Sequence, residues 1–443
     1  MEYITKDLAL VGNGELLVST GAPLNLGELR RAPVSPKPKT EPSGEVATWG
    51  EDNDFPQRII EIAEKSTEIP SLLDWQARVL QGREVVAMER YFDEESNSWK
   101  FRAINDDEID TFLSDSTFKR YMYEASTDFY WFANVFPELI KSKGGDKIAY
   151  LGTQDASFCR YGKMNKDGVI EKCYVSADWP DAKVADKTTN KLTVIDPYDF
   201  ERIDKVRRSS DDRFIYPISY PSPGKIYYQL SKWNGYITSG WAEIARSIPE
   251  GKRHMMKRIL SAKYILQIPM SYWITAYKDW AKLTQEEQTN IKKQKVKEIN
   301  DQLTGLENSG KTILTEVGFD AQTGKEIFGW KVEVVPSAVK EGENLEDSRE
   351  ASEHLMRAIG TDPTLVGDGP GKKMGSGSGS DKRVAFNIYV ATLQPHRNLL
   401  LEPLDFIAEY NGWKKKYPRL VFKFVEVQLD TLDTGSTAKT VTN

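Results

Sequence analysis

Cysteine and histidine are scarce in this sequence. Cys159 and Cys173 are the only cysteines among 443 residues, and His254, His354 and His396 the only histidines. Two thiols cannot build a disulfide framework or a four-cysteine zinc site. The histidines fall in three separate segments with no HxxxH or HExxH pair, so a histidine-based metal centre is not expected, nor is any cofactor. Long hydrophobic runs are missing too. No stretch approaches the roughly 18 apolar residues of a membrane span. Met1 to Thr20 lacks the basic region and continuous apolar run of a secretory signal. The expectation is a soluble chain made in a reducing compartment. Nor is there an excess of positive charge: 60 Lys and Arg stand against 66 Asp and Glu, a net charge of -6. Tight grip on nucleic acid needs many phosphates neutralised, which this composition argues against. It leaves room for a protein that surrounds DNA and lets it slide.

What is present is apolar material for folded cores, 39% hydrophobic and 11% aromatic. The length is large for one core, so two or more lobes are expected. Arg30 to Pro42 carries four prolines and cannot bury a core; it reads either as an extended arm lying across a neighbour or as a loose tail. Helical periodicity begins at Pro56 and runs through Leu80, with Gly82 as its stop. Val85 to Met88 reads as a strand, Asp106 to Leu113 and Phe118 to Phe132 as helices, and Pro137 to Ile226 as short strands and turns. A helix over about Gly240 to Ala262 is interrupted in the pattern by Pro249 and Gly251, and Ile265 to Trp273 reads as a strand. Thr284 and Glu287 have capping-box spacing ahead of a charged helix that reaches about Leu303. Asn344 reads as the N-cap of a helix to about Gly360. The lowest-complexity stretch, GDGPGKKMGSGSGS, spans Gly367 to Ser380. A long helix then follows to about Tyr410, kinked by Pro395. Leu420 to Leu429 reads as a last strand.

One motif invites an enzymatic interpretation. Gly305 to Thr312, GLENSGKT, matches the phosphate-loop pattern in full, with Lys311 to neutralise phosphate and Thr312 to hold magnesium. Such a loop needs a strand before it and a helix after it, so that the helix N-terminus faces the anion. Here the order is helix, loop, strand-like segment. A Gly-containing turn is the simpler reading. Asp106-Asp107 and Asp211-Asp212 read as loop and cap residues, and no GxSxG elbow is present. The chain is not expected to be an enzyme.

Several segments in order resemble the portal proteins of tailed double-stranded-DNA bacteriophages. They are Trp49-Gly50-Glu51-Asp52-Asn53-Asp54-Phe55-Pro56 before a helix, Trp233-Asn234-Gly235-Tyr236 leading into the helix to Ala262, the turn at Gly305 to Lys311, and Ala358 to Gly367 followed by a Gly/Ser loop and a long helix. The resemblance implies an α+β, multi-lobed subunit. It places an N-terminal arm at 1–48, a wing-like domain at 49–235, a first stem helix at 236–262 and a clip-like region at 263–340. A second stem helix follows at 341–366, a tunnel loop at 367–382, a long kinked helix at 383–411, and a C-terminal strand and tail at 412–443, with the crown reduced or absent. It further implies a homo-oligomeric ring, usually a dodecamer, at one capsid vertex of the virion. Such a ring holds double-stranded DNA in its channel without sequence preference and contacts the terminase motor, the major capsid protein and head-completion or adaptor proteins, with no membrane partner. Lys372, Lys373, Met374, Gly375, Ser376, Gly377, Ser378, Gly379, Lys382 and Arg383 are the candidate channel residues. The glycines leave the loop free to shift, and the four cations, repeated around a ring, make a positive belt. A nucleotide hydrolase using Lys311, or another virion adaptor or scaffold component, are the alternatives.

Overall fold

The computed structural model describes residues 2–5, 8–11, 16–19, 44–261, 264–268, 270–304, 318–319, 326–327, 331–334, 343–367 and 379–426. Helices and sheets are mixed, an α+β fold. The chain forms two compact units: 1–246 together with 347–443, and 247–346.

The first unit is built on a seven-stranded sheet. Its hub is Asn134–Lys141, antiparallel to Ile148–Gln154, Arg213–Ile215 and Ile218–Ser219. Asn190–Val194 runs parallel to Arg213–Ile215 and antiparallel to Lys172–Val175, which pairs in turn with Cys159–Tyr161. The hub strand is buried along nearly its whole length, because both of its faces are covered. One cover is the helix Ser116–Phe132. Asp115 caps it by accepting from the Thr117 N–H at 2.7 Å, and Phe118, Tyr121, Met122, Ala125, Phe129 and Phe132 form its buried stripe. Tyr121 Oη donates to the Leu400 carbonyl at 2.8 Å, tying this helix to Gln394–Tyr410. That second helix buries Leu400, Leu404, Phe406 and Ile407 in the same core.

The strand Leu420–Phe424 pairs antiparallel with Val85–Asp93, which also pairs with Ser98–Ala103. The late part of the chain therefore closes a sheet begun some 330 residues earlier. The approach is close at Gly82, the cap of helix Ile69–Gln81. It sits at φ 62°, and a Cβ there would come within 3.2 Å of the Val425 carbonyl. A second core gathers Trp49, Ile59, Leu73, Phe136, Tyr161, Tyr228 and Trp233 with Leu355 and Ile359 from the helix Glu343–Ile359.

In the second unit, Tyr264–Gln267 pairs antiparallel with Lys331–Val334. The Thr284–Glu287 capping box forms as read: the Thr284 N–H donates to Glu287 Oε2 at 2.9 Å, and the Glu287 N–H donates to Thr284 Oγ1 at 3.4 Å. It opens the helix Gln285–Thr304. Lys292 of this helix places Nζ 5.6 Å from the ring centre of Trp280, which stacks on Trp273 at 5.4 Å. It contributes to a small aromatic cluster as well as to the charged surface.

Four expectations are corrected. Asn344 is not an N-cap: it is the second residue of the helix Glu343–Ile359, which starts ahead of it. The long kinked helix is two helices, Gly379–Ala391 and Gln394–Tyr410, and Pro395 lies in the first turn of the second. A proline without an N–H suits a first turn, where that N–H has no partner, so the chain restarts there instead of bending. Pro249 does not interrupt its helix, which runs unbroken over Trp241–Ser261; one lost bond does not end a 21-residue helix. Trp273 belongs to a helix, Met270–Ala276, and the strand stops at Gln267, where its pairing with Lys331 ends.

Candidate functional site

Of the ten candidate channel residues, Lys372, Lys373, Met374, Gly375, Ser376, Gly377 and Ser378 lie outside the described residues; Gly379, Lys382 and Arg383 lie within them. Both flanks of the loop are built. On the entry side the helix Glu343–Ile359 ends at Gly360, whose φ of 79° turns the chain. Asp362 then caps the short helix Pro363–Val366, accepting from the Thr364 N–H at 2.8 Å and from its hydroxyl at 2.7 Å. On the exit side, Gly379 opens the helix Gly379–Ala391, and Lys382 and Arg383 sit half-buried in its first turns. The two flanking helices touch. The exit helix buries none of its residues fully. Phe386 and Val390 line a shallow groove with Trp75 and Val79, and the Tyr389 and Trp75 rings lie 5.1 Å apart. Val384 and Ile388, four residues apart and so on one helical face, are 53% and 62% exposed.

The Trp49–Pro56 segment is held by Arg160, which is fully buried. Its Nε donates to Asn53 Oδ1 at 2.8 Å, and Nη1 to the carbonyls of Ser157 (3.0 Å) and Cys159 (2.8 Å). Nη2 donates to the Asn53 carbonyl (2.9 Å) and to Gln57 Oε1 (3.1 Å). All five guanidinium N–H groups are used. The Trp49 and Trp179 rings lie 5.5 Å from its central carbon. Burial lowers its pKa from the ordinary value, and a guanidinium stays protonated even so. Asn53 sits at φ 59° and accepts from the Trp49 N–H at 2.9 Å; Trp49 stacks on Tyr228 at 4.3 Å. The segment is a rigid anchor for the chain that enters the first helix.

The phosphate-loop pattern Gly305 to Thr312 lies outside the described residues, and the element before it is the helix Gln285–Thr304. Its C-terminal end presents carbonyls, the wrong polarity for phosphate. Asp106 and Asp115 are helix caps; Asp106 accepts from the N–H groups of Glu108 and Ile109 and pairs with Lys416 at 2.5 Å. Among the described residues, no group of three or more His, Cys, Asp or Glu is placed to hold a metal ion, and no helix is long and apolar enough to cross a membrane.

Solved structures resemble this fold over most of its length. A chain in the virion of a native gene transfer agent particle matches with a TM-score of 0.55 at 11% identity, over 86% of each chain. A chain in the neck of the native particle, computed with C12 symmetry, matches at 0.53 and 12% identity, over 83% of this chain and 84% of that one. A chain in the neck of the empty particle, computed with C6 symmetry, matches at 0.52 and 11% identity over 85% of each. The fold is thus similar to that of chains in gene transfer agent particles. No family model and no curated protein matches the sequence.

Two organising residues of this fold were missed in the sequence. Arg160 lies in a short apolar strand, Cys159–Tyr161, and that isolation was its one signal. Arg397 is equally buried; its Nε donates to the Leu80 carbonyl at 3.2 Å, its Nη1 bonds Glu426, and its guanidinium lies 4.9 Å from the Phe424 ring centre. Its place in a helix otherwise patterned as surface and core gave no such hint.

Proposed function

We propose that this chain is the portal subunit of a phage-like virion: a structural protein that forms a ring at one capsid vertex, through which double-stranded DNA is packaged and ejected. The observation that carries the reading is the likeness of fold to particle-neck chains, spanning more than four fifths of both partners. The order of portal-like segments in the sequence favours the portal over an adaptor or scaffold. The helix ahead of Gly305 speaks against a nucleotide hydrolase.

In this proposal, residues 49–235 act as the wing, 236–262 and 341–366 as the stem helices and 263–340 as the clip that docks terminase and later head-completion proteins. The loop at 367–382 faces the DNA, and its cations make weak, repeated phosphate contacts around the ring instead of one tight grip. The major capsid protein is the outer neighbour.

Imaging and mass measurement of the purified protein test the ring: closed rings of about a dozen subunits are expected, and a monomer under all assembly conditions refutes it. For the loop, Lys372→Glu with Lys373→Glu is expected to leave assembly intact and impair DNA packaging or retention. Normal packaging by that double variant refutes the channel placement.

A further inference from the structure

A closed ring of identical subunits joins two different faces of the chain, because each copy meets one neighbour on either side. The first unit carries two exposed faces of opposite charge. One is the outer side of the sheet formed by Leu420–Phe424, Val85–Asp93 and Ser98–Ala103. Side chains alternate along these strands, and Val85, Ala87, Leu420 and Phe422 point into the core. The opposite side therefore presents Arg90, Phe92, Trp99, Phe101 and Lys423, with Arg419 alongside, its carbonyl accepting from the Arg90 N–H at 3.0 Å. No acid stands on this side of the three strands; Glu89 and Asp93 face the other way and pair with Arg102 and Lys100. Arg90 and Arg419 place their guanidinium carbons 4.3 and 5.7 Å from the Trp99 ring centre, and Lys423 reaches across the middle strand to 3.3 Å from that of Phe101. None of the three cations forms an ion pair among the described residues. Burial, with the Arg90 charge adding to it, lowers the Lys423 pKa from its ordinary value, as positive charge without a counterion requires.

The second face is a groove of about 930 Å³ beside the helix Arg202–Arg208. Six acids line it: Asp167, Glu171, Asp196, Asp199, Glu201 and Asp211. Its three cations are already joined to carboxylates, Lys172 to Asp211, Lys205 to Asp199 and Arg202 to Glu409, so the groove keeps a surplus of negative charge. Tyr198 and Phe200 stand in it 67% and 61% exposed, on a turn that Asp196 holds by accepting from the Tyr198 N–H at 2.9 Å. Of the seven large aromatic side chains exposed among the described residues, five lie on these two faces. Exposed rings of this size are what an interface buries.

We propose that these two faces pair between neighbouring copies: the cationic sheet face of one subunit seats on the acidic groove of the next, setting Arg90, Arg419 and Lys423 against Asp167, Glu171 and Asp196 and covering the rings of both. A second copy is the fitting partner because both halves of the charge match are on this chain. Like charge opposes the pairing of sheet face with sheet face or of groove with groove. What remains is head-to-tail contact, the kind that generates a ring and not a two-fold dimer. The inference rests on the ring reading and names the surfaces that close it.

The test is sedimentation velocity of the full chain over a concentration series. Arg90→Glu with Arg419→Glu reverses the sheet face, and Asp167→Lys with Glu171→Lys reverses the groove. All four side chains are exposed, so the fold stands, which a thermal melt checks. Each double variant alone is expected to need at least about tenfold more protein to assemble than the wild type. An equimolar mixture of the two is expected to assemble at the wild-type concentration, since reversed face meets reversed groove and native face meets native groove in alternation. Glu64→Lys with Lys225→Glu, exposed charges on neither face, is expected to change nothing. A double variant that assembles like the wild type, a mixture as defective as its components, or an equal loss in the Glu64, Lys225 control overturns the interface and leaves the ring standing. A wild type that never assembles refutes the ring reading itself, and this interface with it.

Discussion

Replacing Arg160 with methionine keeps the apolar bulk between Trp49 and Trp179 and removes five donors at once. The acceptors are not equally affected. The Ser157 carbonyl keeps a second bond from Gln57 Nε2 at 3.0 Å, and Asn53 Oδ1 keeps the Trp49 N–H at 2.9 Å. The Asn53 and Cys159 carbonyls lose a donor, and Asn53, at φ 59°, is left with the Trp49 N–H alone of these bonds. At about 1–3 kcal/mol for each of these two buried groups stripped of its partner, with about 1 kcal/mol of left-handed backbone strain less well opposed, the loss is about 3–7 kcal/mol. It falls on the Trp49–Pro56 anchor. Native-state hydrogen exchange reads it directly: the Trp49 and Phe55 amides, bonded at 2.9 and 3.0 Å, should exchange at least about a hundredfold faster. Arg160→Lys should fall between, because an ammonium has three donors and no planar fork. If both amides in Arg160→Met exchange within tenfold of the wild-type rate, the guanidinium is not what holds the loop.

Arg397→Met should cost about 3 kcal/mol in urea denaturation by releasing Glu426 and the Leu80 carbonyl from the closing strand, whereas Glu426→Gln, at the half-exposed end of that pair, should cost under about 1 kcal/mol. His396, pressed among Phe129, Tyr130 and Tyr220, has its pKa lowered from 6.5 to about 4 by burial, with the Lys232 charge adding to the effect. Its folded value lies below its unfolded one, so as pH falls the unfolded chain takes up the proton first. Stability should be full above about pH 6.5, decline towards pH 4 by about 1–2 kcal/mol after discounting for its partial exposure, and flatten below; His396→Phe should remove that part of the slope in urea midpoints measured against pH. Val384→Asp with Ile388→Asp should leave the thermal melt of the isolated chain within about 0.5 kcal/mol of the wild type, since both side chains are exposed, and under the portal proposal should prevent ring formation in size-exclusion chromatography.

Local rules disclosed several elements of the fold, though the Asn344 cap failed because the helix begins one residue ahead of it. The Thr284–Glu287 capping box, the Gly82 stop and the Asp106 cap need only neighbours in the chain, and each stands where its spacing put it. The Pro395 kink failed because a proline reads alike inside a helix and in its first turn; only the packing of Leu400 and Leu404 decides where the second helix begins. The pairing of Leu420–Phe424 with Val85–Asp93 was invisible for the opposite reason. Both strands announce themselves, but no local signal names a partner some 330 residues away. The same distance hid Arg160, whose acceptors at Asn53 and Gln57 lie more than a hundred residues upstream.

Under the portal proposal, the exposed apolar groups are faces for a neighbouring subunit to cover. The helix Gly379–Ala391 turns Phe386, Tyr389 and Val390 inward, so it already has a packed side, yet Val384 and Ile388 face outward where a solvated helix would carry polar residues. The edge strand Ser98–Ala103 does likewise: Trp99 is 48% exposed, with Arg90 4.3 Å from its ring centre, and Lys423 lies 3.3 Å from that of Phe101. Covering each large side chain is worth about 1.5–3 kcal/mol, a contribution that recurs at every interface of a closed ring. In the portal proposal the helix has a second consequence. It is the exit flank of the Gly/Ser/Lys loop, so a neighbour seated on Val384 and Ile388 fixes the base that carries Lys382 and Arg383. The glycines beyond that base leave the tip free to follow moving DNA. A base fixed by assembly and a tip freed by composition together require that DNA contacts weaken when the helix face is disrupted, even with every lysine in place. The Val384→Asp, Ile388→Asp variant therefore separates a loop that acts through its ring from one that acts through its charge alone.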